Sequence, residues 1–214
     1  MNKWSFRLLV AAGLLVLVVV AAGTVFYVKI YQPIGSPLVA MAGAKRLEER
    51  RLQNQAAFVP PASGELTGEQ TANFVAVEEE VQKRLAVGTD VLVRKQADLE
   101  RASKANTLSV QKTLLAFGDM KGLYLSAKAA QIEAMNRVDF SKVEFEWVRK
   151  QLYQAAGLRL SQLDVSDVIA GVPDAVVKVR EFEPDGRVPG QNERLARPLA
   201  SKLQAWLSLG FFGL

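Results

Sequence analysis

Residues 8–28 read LLVAAGLLVLVVVAAGTVFYV, without one charged side chain. Wound as a helix, this run rises about 30 Å, the depth of a bilayer's hydrocarbon core. A helix in water keeps a polar face, and this stretch has none. The spacing therefore predicts a single transmembrane helix over 8–29, with Leu8, Leu14, Val18, Val25 and Tyr27 among the residues that anchor it. Trp4 and Phe6 before the run, and Phe26, Tyr27 and Tyr31 at its far end, suit the aromatic belts of a membrane interface. The competing reading is a cleaved signal peptide, with Ala21-Ala22-Gly23 as a place to cut. Against it, the apolar run continues to Val28, beyond the roughly 7–15 residues of a signal h-region.

Flanking charge gives the orientation. Lys3 and Arg7 precede the run, and only Lys29 follows it closely before Lys45. Positive charge is retained in the cytoplasm, so residues 1–7 are expected as a cytoplasmic stub and the rest outside. In a bacterium this means the inner (cytoplasmic) membrane with a periplasmic domain, and the lipid bilayer is the first expected partner.

The chain has no Cys and no His. Thiol nucleophiles, disulfides, imidazole or thiolate metal sites and His-based triads are thereby excluded. Carboxylates, Lys, Tyr and Ser/Thr remain, in no arrangement that suggests catalysis, and no cofactor is expected. The formal charge of +5 includes Lys3 and Arg7. Elsewhere the signs alternate, as in Lys45-Arg46-Leu47-Glu48-Glu49-Arg50-Arg51, which describes a solvated helix face and gives no reason to expect a nucleic-acid partner.

Beyond the span, Gln32-Pro33-Ile34-Gly35-Ser36-Pro37 is a breaker cluster, and a charged Ala-rich helix is expected over 38–58. Pro60-Pro61-Ala62-Ser63-Gly64 then divides a juxtamembrane helix and linker (30–63) from a main domain (64–214). That domain is read as mainly α, a compact extracytoplasmic set of about four to six helices. Thr67 with Gln70, and Ser141 with Glu144, are capping boxes, and Phe140 and Phe145 occupy the two positions of a hydrophobic staple. Residues 91–117 support one long helix or two broken near Asn106, a further helix covers 119–136, and Gly157 stops the helix over 143–156. Over 174–190 a small hairpin is possible, with Pro184-Asp185-Gly186 as its turn. The last helix starts near Asn192 and is disturbed at Pro198.

Candidate sites are few. Glu78-Glu79-Glu80 points its carboxylates about 100° apart on a helix, so a solvated face is expected rather than a cation site. Asp164 and Asp167 suit capping around Ser161 and Ser166, and Trp147, Tyr153 and Tyr124 suit a core. Gly118-Asp119-Met120-Lys121-Gly122 lacks the features of a phosphate loop. The end of the sequence, Leu207-Ser208-Leu209-Gly210-Phe211-Phe212-Gly213-Leu214, is nearly all apolar, whereas chain ends are usually polar. It can pack on its own domain, enter the interface or dock on a partner, and Trp206, Phe211, Phe212 and Leu214 are the candidate partner contacts.

These features together predict a non-catalytic single-pass accessory or assembly subunit of a larger respiratory, photosynthetic or secretory membrane complex, with other membrane subunits as partners. The alternative is a membrane-tethered periplasmic chaperone or stress-sensing adaptor. It rests on Leu66-Thr67-x-x-Gln70, which resembles the LTxxQ motif of the small helical Spy and CpxP chaperones over five residues.

Overall fold

A computed structural model describes residues 32–182 and 188–214, which are mainly helical with one two-stranded sheet. The run 8–28, with Leu8, Leu14, Val18, Val25 and Tyr27, lies outside the described residues, as does the turn at 184–186. Among the described residues no helix is long and apolar enough to cross a membrane.

The helix starts follow local chemistry. Before α2 (Gly68–Leu85), Thr67 Oγ1 accepts from the Gln70 N–H at 3.0 Å and Gln70 Oε1 accepts from the Thr67 N–H at 3.1 Å. Each bond satisfies a donor that the first turn leaves without a carbonyl. Before α5 (Lys142–Ala155), Ser141 Oγ accepts from the Glu144 N–H at 3.2 Å, and the Phe140 and Phe145 rings pack edge to face 6.0 Å apart. Glu144 Oε1 accepts instead from Gln70 Nε2 at 2.8 Å, which joins the starts of α2 and α5. At the other end of α5, Gly157 adopts φ +70°, and Gly157 and Leu158 donate back to Gln154 and Tyr153 in a Schellman motif.

Three expectations about boundaries are corrected. The cluster 32–37 does not break the chain, because α1 (Gln32–Arg51) begins within it and carries Pro37 inside. Pro33 falls in the first turn, where a missing N–H costs nothing, and packing offsets the bond that Pro37 removes. Ala40, Met41 and Ala44 of α1 are buried, and the helix lies along α4 (Val110–Arg137). Segment 30–63 therefore contributes its helix to the main domain.

The expected boundary at Gly118 is also absent. The chain breaks once, after α3 (Thr89–Lys104), where Asn106 takes φ +52°, and α4 then runs unbroken through Gly118 and Gly122. Each glycine costs about 1 kcal/mol relative to alanine in a helix, but Leu114, Phe117 and Met120 are buried around them and packing prevails. The sheet also differs from the expected hairpin. Strand β2 (Lys178–Glu181) pairs antiparallel with the upstream β1 (Ser161–Asp164), across α6 (Ser166–Ala170). Asp164 Oδ1 accepts from the Ser166 N–H at 3.0 Å and its hydroxyl at 2.6 Å, turning the chain out of β1.

The C-terminal region runs as α7 (Gly190–Ala196), a 3-10 turn at Arg197–Leu199 holding Pro198, α8 (Ala200–Ala205) and α9 (Leu207–Phe211). Buried Asn192 secures α7: its side chain accepts from the Leu66 N–H at 2.8 Å and donates to the Gly64 carbonyl at 3.0 Å.

Thr67→Ala and Ser141→Ala are each expected to lower stability by about 1 kcal/mol in urea unfolding. Unchanged midpoints for both would show that neither hydroxyl caps its helix in solution.

Candidate functional site

The apolar end of the sequence lies inside the domain. Trp206, Phe211, Phe212 and Leu214 are at most 5% exposed. Phe212 packs edge to face on Phe117 of α4 at 5.7 Å and on Phe211 at 5.0 Å, and Trp206 meets Phe74 of α2 at 6.4 Å. The Trp206 indole N–H donates to Gln82 Oε1 at 2.8 Å. The four side chains offered by the sequence as partner contacts are thus occupied by the chain's own core. The physical reason is the turn at Gly213. With φ +70° there, Gly213 and Leu214 donate back to Gly210 and Leu209, closing α9 as Gly157 closes α5.

That turn aims two carbonyls at buried cations. Lys128 Nζ of α4 donates to the Gly213 carbonyl at 3.0 Å, and Arg149 Nη1 of α5 donates to the Leu214 carbonyl at 2.8 Å. Lys128 also meets Gln131 Oε1 at 2.8 Å and Glu48 Oε2 at 2.6 Å, and Lys142 Nζ pairs with Glu48 Oε1. One carboxylate of α1 therefore lies between the ammonium groups of α4 and α5, and the Glu48 side chain is 12% exposed. Burial works to raise the Glu48 pKa, but the charge and hydrogen bonds of Lys128, with those of Lys142, outweigh it and leave the group below its ordinary value. Burial lowers the Lys128 pKa despite Glu48. Beside this cluster is an open pocket of about 230 Å³, lined by Glu48, Asn54, Gln55, Ser141 and Lys142 among others.

Glu78 departs from the expected solvated face. Glu79 pairs with Lys202 and Glu80 with Arg137, both at the surface, but Glu78 is fully buried. Neither of its carboxylate oxygens has a hydrogen-bond partner among the described residues. Desolvation raises its pKa from 4.5 to about 8, against the opposing field of Arg149, so the carboxyl is largely neutral at pH 7. The Tyr153 hydroxyl is likewise buried with no hydrogen-bond partner among the described residues.

The remaining sequence candidates fall into structural roles. Trp147 packs on Phe58 at 5.3 Å, Tyr124 on Phe117 at 5.2 Å, and Tyr153 is fully buried. Residues 118–122 are interior turns of α4. In the five-residue motif, Thr67 and Gln70 form the cap of α2 and Leu66 is buried. Among the described residues no group of three or more acidic side chains could hold a metal ion. Sequence reasoning missed Lys128, Arg149 and the inward Glu78. The one signal for the cation pair was Gly213, a C-terminal glycine after an apolar turn, which implies carbonyls turned toward some donor. No family model, no curated protein and no solved structure matches the chain.

Deleting residues 210–214 removes Phe211 and Phe212 from the core and takes acceptors from Lys128 and Arg149. A loss of at least about 4 kcal/mol is expected, lowering the melting temperature by about 10 °C or preventing folding. An unchanged thermal melt would mean that the tail is held outside the core in solution. Glu78 gives a pH prediction. Its folded pKa lies above the unfolded value, so its contribution is complete below about pH 4.5 and is lost as pH rises toward 8. With no His in the chain, few other groups titrate in that window. Unfolding free energy is expected to fall by a few kcal/mol between pH 5 and 8, and Glu78→Gln is expected to flatten the slope.

Proposed function

We propose that this chain is a non-catalytic, single-pass accessory or assembly subunit of a larger membrane complex. Residues 8–29 enter the bilayer beside other subunits, and the helical domain braces the complex's extramembrane face. The observation that carries this reading is the fixing of α1 by Glu48, Lys128 and Lys142. A carrier that must swing its domain toward clients needs a flexible Gly/Ser-rich tether. Here α1, with Ala40, Met41 and Ala44 buried on α4, begins three residues after the apolar run, which leaves no room for a long tether between the run and the domain. Ala11, Ala12, Ala21, Ala22 and Gly23 also supply small side chains that permit close approach of neighbouring membrane helices. On this reading the domain lies in the periplasm or its equivalent.

Affinity purification of the full chain in mild detergent, followed by mass spectrometry, is expected to recover a fixed set of membrane proteins in constant ratio. Exchanging residues 8–28 for an unrelated apolar helix should reduce that recovery while leaving the domain folded. Recovery of no constant partner, together with suppressed aggregation of unrelated unfolded proteins, would instead identify a chaperone.

A further inference from the structure

The direction of the helices decides which end of the domain faces the apolar run. A Cβ built on Gly118 would lie 3.2 Å from Pro37, Glu48 meets Lys128, and the Asn136 side chain donates to the Arg51 carbonyl at 2.9 Å. Successive contacts advance along both helices, so α1 and α4 run parallel. Val110 lies about 12 Å along the axis before Gly118, and Gln32 about 7.5 Å before Pro37. The first turns of α4 therefore reach at least to the level where α1 begins, with the turn 105–109 and the end of α3 beside them.

The chemistry of this end is distinct. From Ile30 to Ala44 the sequence carries no charge. Val39 on α1 is 63% exposed and Leu115 on α4 is 44% exposed, although both are large and apolar. Lys112, three residues before Leu115 on α4, and Lys104, at the end of α3, are exposed as well. Between 95 and 121, Lys95 pairs with Asp119 and Arg101 with Asp98, and Lys104, Lys112 and Lys121 outnumber the remaining carboxylate, Glu100. Exposed apolar side chains at one end of a domain, with exposed lysines on the same end, suit the boundary between acyl chains and anionic headgroups. Only three residues separate Val28 from Gln32, a reach of about 14 Å even when fully extended, so this end cannot stand far from a bilayer that holds residues 8–28.

We infer that this end of the domain is seated on the lipid surface, with Val39 and Leu115 at the headgroup boundary and Lys104 and Lys112 on lipid phosphates. The inference rests on the membrane reading of residues 8–28. The absence of Cys allows single-cysteine labelling of the full chain without background.

Val39→Cys, Leu115→Cys, Gln53→Cys and Val18→Cys, each carrying a nitrobenzoxadiazole fluorophore, would be reconstituted singly into nanodiscs. The lipids would be phosphatidylcholine and phosphatidylglycerol bearing headgroup or acyl nitroxides. Gln53 is the far-end control, because its backbone N–H is bonded to Asn136. Blue-shifted emission and nitroxide quenching are expected at 18, 39 and 115 but not at 53. Quenching at 115 should fall severalfold when Lys104→Glu and Lys112→Glu are combined, or when phosphatidylglycerol is omitted. Quenching at 18 alone would overturn the seating and leave the anchor standing. An absence of quenching at 18 would remove the anchor, and the seating with it.

Discussion

Glu48 between Lys128 and Lys142 is the contact on which the arrangement of α1, α4 and α5 depends. Buried ion pairs are not a reliable source of net stability, because removing charges from water costs nearly as much as their attraction returns. What they supply is selectivity among packings. An apolar helix face can slide or rotate against another at modest cost, but a buried Lys128 without its carboxylate is far more expensive. Glu48 thus fixes the register of α1, a helix that the Pro and Gly residues of its first turns would leave weak in isolation.

The same cation joins this contact to the end of the sequence. Lys128 holds the Gly213 carbonyl while it holds Glu48, and Arg149 holds the Leu214 carbonyl. The tail aromatics then fill the space between α2 and α4. Helices distant in sequence are thereby tied through one polar centre. Glu78 is the exception: buried in the same interior without a hydrogen-bond partner among the described residues, it escapes the cost of a lone charge by remaining protonated.

Placed beside residues 8–28, this rigidity gives the proposed subunit its mechanical character. A domain whose first helix is fixed to its core begins three residues after the apolar run, and its parallel α4 brings Leu115 and Lys112 to that same end. Lipid contact and bracing are compatible, because seating one end on headgroups leaves the sides of the domain open to neighbouring subunits.

The sequence alone determined what depends on a few adjacent residues. The caps at Thr67 and Ser141, the staple of Phe140 on Phe145, the stop at Gly157 and the break at Asn106 are satisfied within a turn or two, so their signals survive in the letters. Only the tertiary structure decided the fate of groups whose partners lie far away. It carried α4 through two glycines, drew α1 out of its expected linker and paired β2 with an upstream strand. It also turned Glu78 inward while its neighbours found surface cations, and chose burial for a tail that a linear reading could offer to its own domain, to lipid or to a partner. These outcomes depend on burial and on partners beyond the reach of a helical turn, from 14 residues away across the sheet to 123 between Glu79 and Lys202, and local pattern carries no record of them.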